Sequence, residues 1–203
     1  MITDEAEAFP RRAATILVLE CWDTFQQHAL QSRIYSVFSS VIPNDFDWEV
    51  KLGAVQFWDQ CIFRFVNSFT NSERTPEVKE CASQGDVDSI TKHTDNVKIL
   101  GLKTLLKLSE DHDDSVAEKS IESLLQIRRT LQGNAIALNQ VWKLSSEENQ
   151  NILAQFESRN LSSELELLQN SKDERTEYLC LLDDILSYRD ENKTEEDVAL
   201  DCY

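Results

Sequence analysis

The sequence predicts an all-α protein, organised as a solenoid of stacked helix pairs with a disordered acidic tail. Only 4 Gly and 3 Pro occur among 203 residues, which is too few turn-forming residues for a many-stranded sandwich or barrel. Apolar residues recur at three- and four-residue spacing, which places them on one face of a helix. A weak internal repeat with a period of 40 residues completes the prediction.

The repeat is clearest at residues 47–58, where an acidic residue precedes a basic residue, a small residue and an apolar run. Residues 7–18 show the same order, and a third, weaker copy begins at Asp113. The equivalent positions of the first two copies are Glu7 and Asp47, Arg11 and Lys51, and Ala14 and Ala54. The acidic residue is expected to cap a helix, since its side chain accepts hydrogen bonds from the free N–H groups of the first turn.

Each copy is interpreted as the second helix of a pair. First helices are predicted at 28–41 and 95–109, where apolar residues recur at helical spacing. A helix pair of 40 residues is typical of HEAT and armadillo repeats. The sequence therefore predicts a HEAT- or armadillo-like α-solenoid.

The repeats are predicted to form one domain over residues 1–189. Between the second and third copies the spacing grows to 66 residues, and the excess is a polar stretch that predicts an inserted loop at about 70–92. Residues 190–203 have no apolar period and carry six acidic residues, which predicts a disordered acidic tail.

Three further helices are expected after Gly133. The first covers about 134–143, the second follows an acidic cap at 145–148, and the third covers 162–188 with a break near 170–173.

The net charge of −17, from 37 acidic and 20 basic residues, argues against direct binding of nucleic acid or of an anionic membrane. Residues 145–203 hold 16 Asp and Glu against 5 Lys and Arg, so most of the excess lies in the last third. The five cysteines are an odd number, and Cys21, Cys61 and Cys180 lie in apolar helical patterns, where a free thiol behaves as a small hydrophobic group. These features predict a soluble protein of a reducing compartment, cytosolic or nuclear.

No pattern of catalytic residues stands out, so the chain is predicted not to be an enzyme and to carry no cofactor of its own. The three histidines are far apart, and His112 lies in a polar linker that predicts a solvated side chain. No Gly-rich phosphate loop, no Cys-x-x-Cys and no His-Glu-x-x-His occurs.

The aromatic residues between Trp48 and Phe69 have two interpretations. They form either a ligand cage or, as is more common in repeats, the core between stacked helices. Arg64, which lies among apolar neighbours, either reaches solvent along its stem or forms a buried ion pair.

Asp201, Cys202 and Tyr203 combine a carboxylate, a thiol and a terminal carboxylate, which are potential metal ligands on a flexible segment. Such a segment cannot close a metal site alone. It can donate a thiolate to a metal ion that a partner already holds, with Tyr203 as an aromatic anchor and the acidic run drawn to a basic groove. The alternative is a tail that only improves solubility.

The segment Asp47-Trp-Glu-Val-Lys-Leu-Gly-Ala-Val, the inserted loop and above all Asp201-Cys202-Tyr203 resemble the C-terminal region of the BRAT-type ATM-activator family. These are HEAT-repeat proteins linked to the DNA-damage response and to the RNA-cleaving module of the Integrator complex. The resemblance implies a nuclear and cytoplasmic protein that docks on the Integrator endonuclease heterodimer, whose active subunit is a two-zinc metallo-β-lactamase-type nuclease. It also implies that Cys202 and Tyr203 are the inserted end, with Cys202 as a ligand to the zinc held by the partner.

Two hypotheses follow from the sequence. In the first, a non-catalytic helical-repeat protein holds a nuclease partner while its tail occupies the metal site and inhibits or stabilises the enzyme. In the second, the chain is a general scaffold for DNA-damage signalling or complex assembly, and its tail is inert.

Overall fold

All regular secondary structure of the part of the chain that the structure describes is helical. A computed structural model describes residues 8–25, 28–72, 97–133 and 147–191, and these ranges contain no β-strand. The α-helices are α1 (Ala8–Cys21), α2 (His28–Ser36), α3 (Trp48–Ser72), α4 (97–108), α5 (Asp114–Gly133), α6 (Glu147–Ser158) and α7 (Leu161–Glu191). The all-α prediction is confirmed for these residues.

The first helices of the predicted pairs are present as α2 and α4. α2 continues as a π-helical turn at Val37–Val41 and then as a 3₁₀ turn at Ile42–Asn44, so the helical stretch ends three residues after the predicted end at 41. The structure differs at α7, which is one uninterrupted helix across the predicted break at 170–173. None of these four residues is Gly or Pro, and the Ser171 hydroxyl donates a 2.9 Å hydrogen bond to the Leu168 carbonyl within the helix.

Two of the predicted acidic caps are observed. Asp47 Oδ1 accepts hydrogen bonds from the backbone N–H groups of Glu49 (3.0 Å) and Val50 (3.2 Å) at the start of α3. Asp113 Oδ1 bonds the corresponding N–H groups at the start of α5, at 2.9 and 3.1 Å. These bonds satisfy donors that a helix leaves unpaired in its first turn. The third predicted cap, Glu7, lies outside the described residues.

α3 is the central helix, because it packs against both α1 and α5. α4 also approaches it closely: a Cβ on Gly101 would lie 2.6 Å from Trp58 Cε3. The fully buried Trp58 also donates a 3.1 Å hydrogen bond from Nε1 to the carbonyl of Phe38, in the π-helical turn that follows α2. The core is thus formed where α3 meets its neighbours, and its largest fully buried side chains are Trp58, Phe38, Phe57, Phe156, Ile42, Ile62, Leu102, Leu105, Leu108, Ile121 and Leu124.

The aromatic residues of α3 divide between core and surface. Phe57 and Trp58 are buried and contact each other and Tyr35, whereas Trp48 is 43% exposed at the start of the helix. The core interpretation therefore holds for Phe57 and Trp58, and it is wrong for Trp48. Arg64 is exposed and pairs with Asp23 at the surface.

The chain divides into two compact units, Met1–Ser162 and Ser163–Tyr203. The described part of the first unit contains α1 to α6 and the core. The described part of the second unit is the remainder of α7. The one-domain assignment for 1–189 stays a prediction. Of the expected insertion at about 70–92, residues 70–72 belong to α3 and residues 73–92 lie outside the described residues. Of the expected tail at 190–203, residues 190 and 191 belong to α7 and the others lie outside the described residues. None of the described helices is long and apolar enough to cross a membrane.

Candidate functional site

The residues that the sequence marks as the binding site, Asp201, Cys202 and Tyr203, lie outside the described residues. Their binding to a partner, with Cys202 as the ligand to a zinc ion that the partner holds, stays a prediction. Within the described ranges, no group of three or more His, Cys, Asp or Glu side chains is arranged to hold a metal ion.

The described residues contain a second feature of functional interest, a series of ion pairs that joins alternate helices, α1 to α3 and α3 to α5. Lys51 Nζ on α3 lies 3.0 Å from Asp111 Oδ1 and 2.7 Å from Asp111 Oδ2. Both side chains are largely buried, with 15% of Lys51 and 10% of Asp111 exposed. This pair ties the start of α3 to the turn that precedes α5.

The same arrangement joins α1 to α3. Arg11 donates from Nε to Asp45 Oδ2 at 2.8 Å and from Nη2 to Asp45 Oδ1 at 3.0 Å, so the guanidinium binds the carboxylate in a bidentate manner. Both side chains are nine-tenths buried. Asp45 lies in the turn just before α3.

The two pairs occupy equivalent positions of the sequence repeat, with Arg11 matching Lys51 in the first two copies and Asp45 matching Asp111 in the second and third. Asp45 lies two residues before the cap of α3, and its Oδ1 accepts a 2.9 Å hydrogen bond from the N–H of Asp47. Asp111 has the same relation to Asp113, at 3.0 Å. A basic side chain of one repeat thus binds the first aspartate of an Asp-x-Asp turn in the next. The third copy has Ala117 where the second has Lys51, so it lacks the cation for a further pair of this kind.

Arg12 adds a second contact between α1 and the start of α3. Its guanidinium donates to both carboxylate oxygens of Asp47 and also pairs with Glu49 at 2.8 Å. The hydrogen bond with Arg12 holds the pKa of the Asp47 carboxyl below its ordinary value, although partial burial opposes the shift. Asp47 therefore acts as helix cap and ion-pair partner at once.

Two arginines fix α6 against the preceding helices. Arg128 on α5 donates to the carbonyl oxygens of Phe156 and, at 3.1 Å, Arg159, and its guanidinium lies 4.9 Å from the centroid of the Phe156 ring. Arg159 donates a 2.8 Å hydrogen bond to Ser109 Oγ at the end of α4. The Arg128 guanidinium thus binds two carbonyl oxygens at the C-terminal end of α6 and just after it.

Among the described residues, no cysteine is seen paired with a histidine as a nucleophile with its base. Burial raises the pKa of the Cys61 thiol to about 12, so this thiol is protonated at neutral pH. His112 is exposed, in agreement with the solvated position expected from its linker. Cys180 is exposed as well, and the expectation that it packs as a small hydrophobic group is wrong because its side of α7 faces solvent.

Comparison with known proteins identifies the family. A family model described as Integrator complex assembly factor BRAT1 matches residues 1–182. The chain belongs to the BRAT1 family. A zebrafish (Danio rerio) protein of that same description is 32% identical over 139 residues, which make up 64% of this chain. No solved structure matches the chain.

The BRAT1-family assignment confirms the resemblance drawn from the sequence. The matched segment covers 15% of the length of the zebrafish relative. The family-model match, over residues 1–182, includes both helix-joining pairs of this BRAT1-family chain and ends before Asp201, Cys202 and Tyr203.

The ion pairs that join α1 to α3 and α3 to α5 were not predicted from the sequence, although a signal for them was present. Asp45-Phe-Asp47 and Asp111-His-Asp113 share an Asp-x-Asp spacing directly before a helix, and only the second aspartate was recognised, as a cap. The partners are 34 and 60 residues away, so periodicity within a helix cannot reveal them. The exposed apolar side chains of α7 were also missed, because leucines at helical spacing do not by themselves distinguish a buried helix face from an exposed one.

Proposed function

We propose that this BRAT1-family chain is a non-catalytic, nuclear and cytoplasmic protein that docks on an Integrator-type RNA endonuclease. Its helices hold the nuclease heterodimer, while Asp201, Cys202 and Tyr203 enter the metal site and inhibit or stabilise the enzyme. The observation that carries this proposal is the match of residues 1–182 to a family described as Integrator complex assembly factors.

The surface that we propose for binding the partner belongs to a HEAT-like solenoid. The Arg11–Asp45 and Lys51–Asp111 pairs support it, because they join α1 to α3 and α3 to α5 at equivalent positions of the sequence repeat. Each repeat then contacts mainly its neighbours, which is the property that defines a solenoid. A stack fixed by largely buried pairs presents a preformed surface, and a preformed surface loses little conformational entropy when it binds.

The proposed contact with zinc depends on residue chemistry. Cysteine binds zinc as the thiolate, and a catalytic zinc site keeps one position open for water or substrate. A thiolate delivered into that position displaces the water that the nuclease uses. The acidic residues that precede Cys202 are suited to a groove lined by Lys and Arg, the kind of groove that binds RNA.

Binding to the purified nuclease heterodimer tests the proposal. The full chain is compared with a variant that lacks Asp201–Tyr203 and with Cys202→Ala, and both affinity and RNA cleavage are measured. We expect about tenfold weaker binding for both variants, the effect of losing about 1.4 kcal/mol, and a change in cleavage. Cys180→Ala is the matched control, since it removes another exposed thiol.

A spectroscopic measurement tests the metal contact directly. Cobalt(II) is placed in the nuclease instead of zinc, and the complex is examined for a thiolate-to-cobalt charge-transfer band. The band should appear with the full chain and with Cys180→Ala, and it should be lost with Cys202→Ala. If the spectra, the affinity and the cleavage rate were unchanged in all variants, the proposed role of the tail would be wrong.

The second candidate is a scaffold whose helical surface alone binds its partner. The family match favours this scaffold, because the match ends at residue 182 and does not include the tail. This candidate assigns the chain to complex assembly or DNA-damage signalling without any role for zinc. Removal of Asp201–Tyr203 would then leave affinity and the set of bound proteins unchanged.

A further inference from the structure

The second half of α7 carries a broad apolar face that is exposed in the described structure. The side chains that form this apolar face are 52–73% exposed. They are Tyr178, Leu179, Leu181, Leu182 and Ile185. With about 100° between successive residues of an α-helix, they form a continuous arc of about 160°. Isolated exposed leucines are common on protein surfaces, whereas a contiguous apolar patch indicates a site of interaction.

Acidic residues flank this apolar face on both edges. Glu177 and Asp184 lie four and three residues from Leu181 and follow one edge, while Asp183 lies four residues after Leu179 on the other. All three acidic side chains are exposed. The opposite side of the helix holds Cys180, which is also exposed. The apolar face is therefore bounded by negative charge.

The charge decides which occupant fits. Residues 173–185 contain five acidic residues and one basic residue. A second copy of this helix would bring like charges together along the edges of the apolar contact, which is destabilising. An anionic membrane is disfavoured by the same charge. A helix that carries Lys or Arg beside its own apolar residues complements both the apolar face and its edges.

We propose that the apolar face of α7 docks an amphipathic helix of a partner protein, with basic residues of that helix beside Glu177 and Asp184. Tyr178 and Leu182 lie near the centre of the arc and act as the anchors, in keeping with the central position of the residues that dominate helix-in-groove binding. The site is independent of the proposed function, since it uses neither the nuclease nor residues 201–203.

A defined peptide tests the site on the full chain. The probe is a fluorescein-labelled Leu/Lys peptide of about 18 residues, designed so that its leucines share one helical face. Two controls have the same length: a scrambled isomer with no apolar face, and a version with Glu in place of Lys. Fluorescence anisotropy should show binding of the Leu/Lys helix at least tenfold tighter than either control.

Variants of the chain locate the contact. Leu179→Ser combined with Leu182→Ser should weaken binding of the Leu/Lys peptide about tenfold, a loss of about 1.4 kcal/mol. Cys180→Ser on the opposite side should bind as the unmodified chain does. Glu177→Gln combined with Asp184→Asn should also weaken binding and reduce its dependence on salt, because the lost contacts are electrostatic.

Other outcomes would overturn the proposal. Equal affinity for the scrambled peptide would show that net charge alone attracts it. Sedimentation velocity that reveals a dimer, dissociated by the Leu179 and Leu182 changes, would assign the face to a second copy. Binding to phosphatidylserine vesicles that the same changes abolish would assign it to a membrane. Circular dichroism of each variant confirms that α7 remains helical.

Discussion

Lys51 on α3 binds both carboxylate oxygens of Asp111, at 3.0 and 2.7 Å, across a separation of 60 residues. The contact spans the expected insertion and places the start of α3 beside the turn before α5. Arg11 and Asp45 repeat this relationship one repeat earlier. The helices α1, α3 and α5 are therefore joined by salt bridges as well as by packing of the helices against each other.

Lys51→Met should destabilise the fold by about 2 kcal/mol, because Asp111 would keep a largely buried charge without its cation. Urea unfolding followed by circular dichroism measures the change. The double variant with Asp111→Asn should recover part of the loss, since both charges are then absent. Glu122→Gln breaks the exposed pair with Lys119 and should cost only about 0.3 kcal/mol. Equal effects of Lys51→Met and Glu122→Gln would contradict the structural role of the buried pair.

Asp47→Ala should destabilise more than Asp47→Asn. The amide retains an oxygen that can accept from the N–H groups of Glu49 and Val50, while alanine loses both the cap and the Arg12 contact, about 2 kcal/mol in all. The pKa of Asp47 is lowered in the folded state, so its stabilisation is present above the unfolded value of 3.8 and is lost as pH falls through the folded pKa. The difference in unfolding free energy between Asp47→Asn and the unmodified chain should therefore disappear in acid.

Asp59→Asn should stabilise the protein at neutral pH. Asp59 Oδ1 is buried without a hydrogen-bond partner, and burial raises the pKa of this carboxyl, although Ser123 and Lys119 oppose the shift. The folded state therefore holds this proton more tightly than the unfolded state, and the contribution of Asp59 to stability falls as pH rises above 3.8. In urea unfolding, the free energy of unfolding of Asp59→Asn should exceed that of the unmodified chain at pH 7, and the difference should disappear near pH 3.

Gly101→Ala should destabilise the core by about 1 to 3 kcal/mol, although alanine is the better helix former by about 1 kcal/mol. The added Cβ would lie 2.6 Å from Trp58 Cε3 and 3.0 Å from Ile62 Cδ1, and Trp58 is fully buried. Thermal unfolding with Trp fluorescence reports both the lower stability and the displaced ring. Gln126→Ala, on the exposed side of α5, is the control and should leave the melting temperature nearly unchanged.

Alkylation should distinguish Cys61 from Cys180. Cys180 is exposed, whereas burial both shields Cys61 and raises its pKa to about 12. At pH 8 only about one Cys61 thiol in ten thousand would be the reactive thiolate even if reagent could reach it. Peptide mass spectrometry after iodoacetamide treatment should show Cys180 modified first and Cys61 modified only in denaturant. Equal rates in the native protein would contradict the buried position.

Local patterns in the sequence predicted the helices well, because caps and apolar spacing act over a few residues. The caps at Asp47 and Asp113 and the helices at 28–41 and 97–108 follow from such patterns. The predicted break at 170–173 was wrong because polar residues without Gly or Pro do not interrupt a helix.

Contacts between residues that are distant in the sequence could not be predicted from such local patterns. Nothing near Asp45 or Asp111 in the sequence specifies Arg11 or Lys51 as a partner. The exposed apolar face of α7 has the leucine spacing of a core helix, and only the structure distinguishes the two. The tail at Asp201, Cys202 and Tyr203 remains an inference from residue chemistry and family resemblance.

The two helix-joining pairs also have a consequence for the order of folding. The Arg11–Asp45 contact closes a loop with a sequence separation of 34 residues, and the Lys51–Asp111 contact closes one with a separation of 60 residues. Loop-closure entropy makes the second step costlier by only about 0.5 kcal/mol, since the cost grows with the logarithm of length. The α1–α3 contact is thus expected to form first, and lengthening the segment between α3 and α4 should slow the second closure only slightly.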